Sequence, residues 1–213
     1  VARVPGGEAA ALRRLQVQLF RVPVYLVVRR APDDDGGCAD EVRGMLYGPF
    51  LNYADGNLES VHEMLREPSA VPGLADGGAH CGIICDASFP TYLLTHWTRD
   101  RSRGEKLSIP FVVAAQSRKT ALSVGLYDRG VIAPGFKADV NVIDYDRLHL
   151  HPPKVYYDLP VGGRRLMQQV DGYEATIVSG VVTQRGGKAT GARPGKLVRG
   201  AQGTKPQFDA AAS

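Results

Sequence analysis

The hydrophobic pattern of the chain changes its period once, near residue 130, and this change limits the folds that the sequence can adopt. Between residues 89 and 124, apolar side chains recur at helical spacing in three stretches. Residues 138–144 then alternate as a strand, and residues 175–184 form two strand-like halves around Ser179-Gly180, a dipeptide typical of a hairpin turn. We therefore expect an α/β part followed by a small all-β module.

The α/β part begins with the signals of a strand, a helix and a second strand. Residues 44–51 form a short apolar stretch, and Asn57 or Asp55 is placed to cap a helix over residues 58–66. Residues 71–75 follow as a short strand, which ends in the turn D-G-G-A-H at residues 76–80. Parallel α/β units keep their chemistry in the turns after their strands, so this Gly-rich turn is the candidate site.

The charge of the chain is concentrated at its two ends. Of 213 residues, 44% are hydrophobic and 23% charged, as in ordinary globular proteins. Residues 1–30 carry six Arg against one Glu, and residues 185–213 carry six Lys or Arg against one Asp. Nucleic-acid-binding proteins place such an excess on a folded recognition element, whereas these ends have the composition of solvated tails. We expect no nucleic-acid partner.

Membrane insertion and export are not expected either. The apolar run at residues 22–28 is too short to span a bilayer, contains Pro23, and has no small-residue cleavage pattern after it. Three cysteines, Cys38, Cys81 and Cys85, form no C-x-x-C pair, which agrees with a reducing compartment. We expect a cytoplasmic protein without a membrane partner, in which Cys81 and Cys85 are small buried hydrophobes.

Three motifs carry a family resemblance. They are G-L-A-D-G-G-A-H at residues 73–80, D-A-S-F-P-T-Y-L-L-T-H-W at residues 86–97, and G-L-Y-D-R-G-V-I-A-P-G-F-K-A-D-V-N-V-I-D at residues 125–144. Together they resemble the amidohydrolase superfamily, in its D-aminoacylase (N-acyl-D-amino-acid deacylase) branch. The resemblance covers about residues 44–200 and implies a metal-dependent (β/α)₈ barrel with a smaller β-domain, which the third motif links to the barrel.

The resemblance also implies a site. In this family, one or two divalent ions, usually Zn²⁺, are held by an H-x-H near the first barrel strand and by later ligands. The Asp that ends the last strand touches the metal and shuttles a proton; it corresponds to Asp76. Gly77 and Gly78 would let the substrate approach the backbone, and His80 is a candidate substrate contact. From the residues alone, Asp76 also fits a simple turn, and His80 a hydrogen-bonded turn histidine.

Other parts of the family pattern are missing. A (β/α)₈ barrel takes about 250 residues, and the β-like part from residue 138 leaves too few before it. No H-x-H precedes Asp76, and the pair His149 and His151 lies in the expected β-domain, where we do not expect a metal. Residues 85–88 stand where D-aminoacylases tend to place an Arg for the substrate carboxylate. We expect the C-terminal part of an incomplete barrel that binds no Zn²⁺ and is inactive by itself.

The expected organisation has four parts. They are a poorly ordered or non-homologous segment at residues 1–43, a partial barrel at 44–137, a β-domain at 138–200 and a flexible tail at 201–213. When complete, such an enzyme would hydrolyse a non-peptide C–N bond of a small-molecule amide with metal-activated water. The alternative is a non-catalytic remnant or interaction module that pairs with another chain. Exposed edges of an incomplete barrel would favour such pairing or self-association.

Overall fold

A computed structural model describes residues 55–73, 80–82 and 85–204, together with the backbone of residues 24–26 and 46–48. Backbone contacts divide the chain into two compact units. The first unit comprises Val1–Phe89 and Pro153–Gln168, and the second comprises Pro90–Pro152 and Gln169–Ser213. This division does not coincide with the expected boundary at residue 138.

The helices are α1 (Glu59–Arg66), α2 (Phe89–Thr95), α3 (Ile109–Ala114) and α4 (Thr120–Ser123), with 3₁₀ turns at Asp86–Ser88 and Pro160–Gly162 and π-helical turns at His96–Asp100 and Ala115–Lys119. The strands are β1 (Val24–Leu26), β2 (Leu46–Gly48), β3 (Val140–Ile143), β4 (His149–Leu150), β5 (Lys154–Leu159), β6 (Gly163–Met167), β7 (Val170–Asp171), β8 (Tyr173–Val178), β9 (Val181–Arg185) and β10 (Lys188–Ala189). The chain therefore has mixed α/β content, as the sequence predicts.

In the first unit, β2 lies inside the predicted strand at residues 44–51. It pairs antiparallel with β1, with Val24 opposite Gly48. A barrel strand at this place would instead run parallel to a strand around residue 74, which lies outside the described residues. The position of the strand is thus confirmed, but its described pairing is antiparallel.

Helix α1 begins at Glu59, one residue after the predicted start, with Leu58 rather than Asn57 at the N-cap position. Asn57 Oδ1 accepts a hydrogen bond from Glu59 N at 2.8 Å and so satisfies a free N–H of the first turn. The helix places Glu59 in its first turn and Arg66 in its last, which matches the helix dipole. It buries His62 and Met64. Residue 67 leaves the helical conformation before Pro68, as expected for a residue that precedes proline.

Strands β5 and β6 form a hairpin that the sequence analysis does not assign. Leu159 pairs with Gly163 across a tight connection in which Val161 has φ 60°. Leu166 on β6 is 4% exposed, and Arg165 forms an ion pair with Asp158 at 2.6 Å. The hairpin belongs to the first unit, although residues 90–152 separate it from the rest of that unit in the sequence.

Helix α2 continues into a π-helical turn and carries the predicted apolar stripe of the second unit. Leu93, Leu94 and Trp97 are all buried, which confirms the stripe. Most of the charged run after it is exposed, but Arg101 within that run is only 4% exposed. Its guanidinium carbon lies 4.7 Å from the centroid of the Trp97 ring, so a cation–π contact holds this arginine in the core.

The two helical pieces predicted between residues 109 and 124 are joined by the π-helical turn into one run. Ser108 Oγ accepts a hydrogen bond from Phe111 N at 3.3 Å and caps the start. Gly125, with φ 76°, ends the run, and Leu126 N donates to Ala121 O at 2.8 Å. Val112 is 2% exposed and anchors this run in the core.

Four antiparallel strands follow in the order β10-β9-β8-β3. The β8–β9 hairpin turns at Ser179 and Gly180, which have φ 51° and 79°, and so confirms the predicted turn. A separate short pair, β4 with β7, places His149 opposite Asp171. No helix in the described part of the chain is long and apolar enough to cross a membrane.

The third motif holds the end of the helical run to the sheet. Asp139 Oδ1 accepts a hydrogen bond from Ser179 N at 2.8 Å, and Ala138 O accepts one from Gly180 N at 2.9 Å, so the motif's A-D pair supports the hairpin turn. At its other end, Gln202 returns to the motif, donating to Gly125 O and accepting from Tyr127 N. Gln202 is therefore bonded to the motif, and the expected tail beyond residue 204 lies outside the described residues.

Candidate active site

The predicted site turn is only partly described. Asp76, Gly77 and Gly78 lie outside the described residues, so their placement stays a prediction. His80 is exposed and has φ 46°, a left-handed conformation that histidine adopts more readily than most residues. The end of the predicted turn is therefore a sharp bend of the backbone, with the imidazole accessible to solvent.

The residues after His80 are held by the β5–β6 hairpin. Cys81 O accepts a hydrogen bond from Leu166 N at 2.6 Å, which fixes the turn beside β6. A Cβ atom at Gly82 would lie 3.8 Å from Arg164 Nε, so this arginine side chain runs next to the turn. Sequence reasoning misses these neighbours, because no local pattern connects residues 80–82 with residues 164–166.

A polar cluster holds the segment that follows. Ser88 Oγ donates to Gln168 Oε1 at 2.6 Å, and Cys85 Sγ lies 3.8 Å from the same oxygen. Gln168 is another residue that the sequence analysis does not single out. Its contacts link the two sequence segments that make up the first unit. The bonded residues are about 80 positions apart in the sequence.

The cysteines differ from their predicted role. Cys81 is exposed and Cys85 is partly exposed, so neither is the small buried hydrophobe that the sequence suggests. The reason is local: Cys81 lies in a bend whose backbone, rather than its side chain, makes the contact with β6. Neither cysteine forms a disulfide bond.

Two arginines, Arg164 and Arg165, follow one another on the strand beside the turn. Arg165 donates two hydrogen bonds to the Asp158 carboxylate, at 2.7 and 2.6 Å. This hydrogen bonding lowers the pKa of Asp158 and raises the pKa of Arg165. Arg165 is thus occupied within the hairpin. Arg164 is exposed and presents its guanidinium beside the turn.

The described residues do not form a metal centre. Among them, no group of three or more His, Cys, Asp or Glu side chains is arranged to hold a metal ion. His149 and His151 lie with ring centroids 4.7 Å apart, and His151 Nε2 is 2.7 Å from Asp171 Oδ2. This cluster is in the second unit, whereas residues 80–88 belong to the first.

Comparison with known proteins assigns the chain to a family. A model of the amidohydrolase family matches residues 8–184 and therefore spans most of the sequence. The match includes residues 8–43, so it extends further toward the N-terminus than the motifs that carry the resemblance. No curated protein and no solved structure matches the chain. Since the family model matches far more than half of its length, the chain belongs to the amidohydrolase family, whose function is hydrolase-like.

Proposed function

We propose that this chain carries the last β/α units and the β-domain of an amidohydrolase related to the N-acyl-D-amino-acid deacylases. The observation that carries the proposal is the motif at residues 125–144. Its glycine and aspartate positions are the ones that end the helical run at Gly125 and support the β8–β9 turn at Asp139. The order of the elements, helices first and antiparallel strands afterwards, is the order expected at the link between a barrel and its β-domain.

Asp76 is the proton-transfer residue in this proposal. As the carboxylate that ends the last barrel strand, it would accept a proton from the attacking water and return it to the departing amine. Gly77 and Gly78 would let the substrate approach the backbone, and His80, exposed at the bend, would contact it. Members of this family typically use metal ions. In a complete enzyme the metal would supply activated water. Because the described residues hold no three-ligand group, no step is assigned to a metal in this chain.

The position of Arg164 supports a substrate of the N-acyl-amino-acid class, which carries a negatively charged carboxylate. The sequence has no arginine at residues 85–88, where D-aminoacylases tend to place one for the substrate carboxylate. The exposed guanidinium of Arg164 lies beside Gly82, next to the same turn. Arginine binds carboxylates with paired hydrogen bonds, so Arg164 would take over this role from the hairpin side of the turn.

The test is hydrolysis of N-acetyl-D-amino acids, with the L-enantiomers as a comparison and with added Zn²⁺. The 213-residue chain and its Asp76→Asn variant should both show no measurable turnover, because no H-x-H precedes Asp76. A chimera in which residues 44–200 replace the matching part of a complete N-acyl-D-amino-acid deacylase should be active. In the chimera, Asp76→Asn should lower turnover by about 10²–10⁴-fold, whereas Asp146→Asn, at an exposed aspartate, should not.

The outcomes separate the parts of the proposal. Asp76-dependent turnover by the 213-residue chain alone would refute the idea that it is incomplete. A folded, active chimera that tolerates Asp76→Asn would refute the role of Asp76. A folded but inactive chimera would favour the non-catalytic module that pairs with another chain. Exposed apolar side chains on α3 already favour that second candidate, since Ile109 and Val113 are 42% and 47% exposed.

A further inference from the structure

The segment that begins at the last residue of β9 is both strongly positive and exposed. Residues 175–204 contain no Asp or Glu. Within them, residues 185–204, here called the cationic loop, carry five basic side chains that are all exposed: Arg185, Lys188, Arg193, Lys196 and Arg199. In the part of the chain that the structure describes, none of the five forms a salt bridge with a carboxylate. Their charge is therefore directed to solvent rather than balanced inside the protein.

The cationic loop is attached at both of its ends. At the start, β10 pairs with β9, and Thr190 N donates to Thr183 O at 2.9 Å. At the end, Gln202 N donates to Gly125 O at 2.9 Å, and Gln202 O accepts from Tyr127 N at 2.7 Å. The match to the family model ends at residue 184, just before this loop.

The cationic loop also exposes two apolar side chains. Leu197 is 77% exposed and Val198 is 41% exposed, and they stand directly between Lys196 and Arg199. Apolar side chains flanked by cations are suited to the boundary between lipid headgroups and acyl chains, where both kinds of group are satisfied. The loop has no Phe, Tyr or Trp on which bases could stack, which disfavours single-stranded nucleic acid as its partner.

We propose that the cationic loop attaches the protein to the surface of membranes that contain anionic phospholipid. Lys196 and Arg199 contact headgroup phosphates, while Leu197 and Val198 enter the headgroup boundary. The sequence-based expectation of no membrane partner rests on the lack of a spanning segment, and surface attachment needs none. The proposal does not depend on the proposed enzymatic function.

The test is co-sedimentation of the full chain with vesicles of phosphatidylcholine, with and without phosphatidylglycerol. The chain should bind only the anionic vesicles, and added salt should weaken the binding. Each surface cation contributes about a fivefold gain in partitioning, so Lys196→Gln/Arg199→Gln should lower binding roughly 25-fold. Leu197→Ser/Val198→Ser, which leaves the charge unchanged, should lower binding about tenfold.

The matched control is Arg103→Gln/Lys154→Gln, which removes two exposed cations elsewhere and changes the net charge equally. It should lower binding by less than about twofold, with circular dichroism establishing that all variants are folded. Equal losses in the control and in the loop variants would overturn the proposal, because total charge alone would then explain the binding. Binding to neutral vesicles, or to a labelled oligonucleotide but not to anionic vesicles, would also overturn it.

Discussion

Gly172 has both a left-handed backbone and a close backbone neighbour. Its φ is 94°, and a Cβ atom there would lie 2.7 Å from Leu148 Cα and 2.9 Å from Asp144 O. Leu148 is fully buried, so it cannot move aside without disturbing the core of the second unit. Gly172→Ala should therefore lower the free energy of unfolding by roughly 2–5 kcal/mol, from steric overlap and backbone strain together. Urea unfolding followed by the fluorescence of Trp97, the chain's only tryptophan, measures this change.

Gly180 provides the matched control for Gly172. It also has a positive φ, of 79°, but a Cβ atom there would have no neighbour within 4 Å. Gly180→Ala should lower the free energy of unfolding only by the conformational cost, about 1–2 kcal/mol. If both alanine variants unfold at the same urea concentration, the contact between Gly172 and Leu148 contributes nothing beyond conformation.

His96 makes the second unit sensitive to mild acid. Its ring stacks on Tyr92 at 4.9 Å and lies edge-on to Trp97 at 5.2 Å. Burial, and secondly the charge of Arg101, lower the pKa of His96 below its ordinary value of 6.5, although Asp100 opposes the shift. The unfolded chain therefore binds a proton more readily than the folded chain. The stability that this difference contributes is complete above about pH 6.5 and is lost as the pH falls toward the lowered pKa.

His96→Gln should remove this loss of stability. Urea unfolding measured at about pH 7.5 and about pH 5.5 should show a smaller difference for this variant than for the unchanged chain. His149→Gln, which replaces an exposed histidine of the same unit, should leave the difference unaltered. An unchanged pH dependence in His96→Gln would assign the acid sensitivity to another group.

The motif at residues 125–144 owes its glycine spacing to the way its loop packs on the helical run. Gly130 has φ 83°, and a Cβ atom there would lie 2.8 Å from Arg118 Cα, so the loop passes directly over the helical run. Arg118 Nη1 donates to Tyr127 O and Arg129 O, at 3.0 and 2.9 Å, and holds the loop there. Arg129 in turn donates to Asp128 and lowers the pKa of that carboxyl. The motif is thus a structural connection between helix and sheet.

Elements with a local signal were predictable from the sequence. The hydrogen bond from Glu59 N to Asn57 and the glycine of the turn at Ser179 and Gly180 both come from residues next to the structure they mark. The β5–β6 hairpin was not predicted: Gly162 marks its turn with φ 71°, but Val161 before it also adopts a positive φ, which is rare for a β-branched residue. The burial of Arg101 was not predictable either, because it depends on stacking over Trp97, which periodicity does not report.

The surroundings of the candidate site were also only partly predictable from the sequence. His80 was singled out because it ends a Gly-rich turn, and its left-handed backbone agrees with a sharp bend. The residues after His80 are held by Leu166 and Gln168, which bond Cys81 and Ser88 from about 80 residues away, and a single sequence has no pattern that records such a contact. Asp76 remains a prediction that rests on the family resemblance.

Carboxylates and basic side chains differ in whether they have a charged partner. Several carboxylates of the middle region are paired with an arginine nearby, as Asp100 is with Arg99 and Asp158 with Arg165. Hydrogen bonds from these arginines lower the pKa of both carboxyls. The five cations of the cationic loop have no such partner among the described residues, so this segment carries an unbalanced positive charge. Charge of this kind acts on partners rather than on the fold.

The zinc content of the purified chain tests whether any part of it forms a metal site. Structural zinc sites use four protein ligands and catalytic sites use three. The described residues bring no three such ligands together, and no H-x-H precedes Asp76 in the sequence. We expect the purified chain to hold much less than one zinc ion per molecule after dialysis, as measured by elemental analysis. Any weak residual binding should disappear in His149→Gln/His151→Gln, since these rings lie 4.7 Å apart and one is already paired with Asp171. One zinc ion per chain that survives dialysis and this double substitution, but is lost in Asp76→Asn, would instead place a working metal site at the predicted turn.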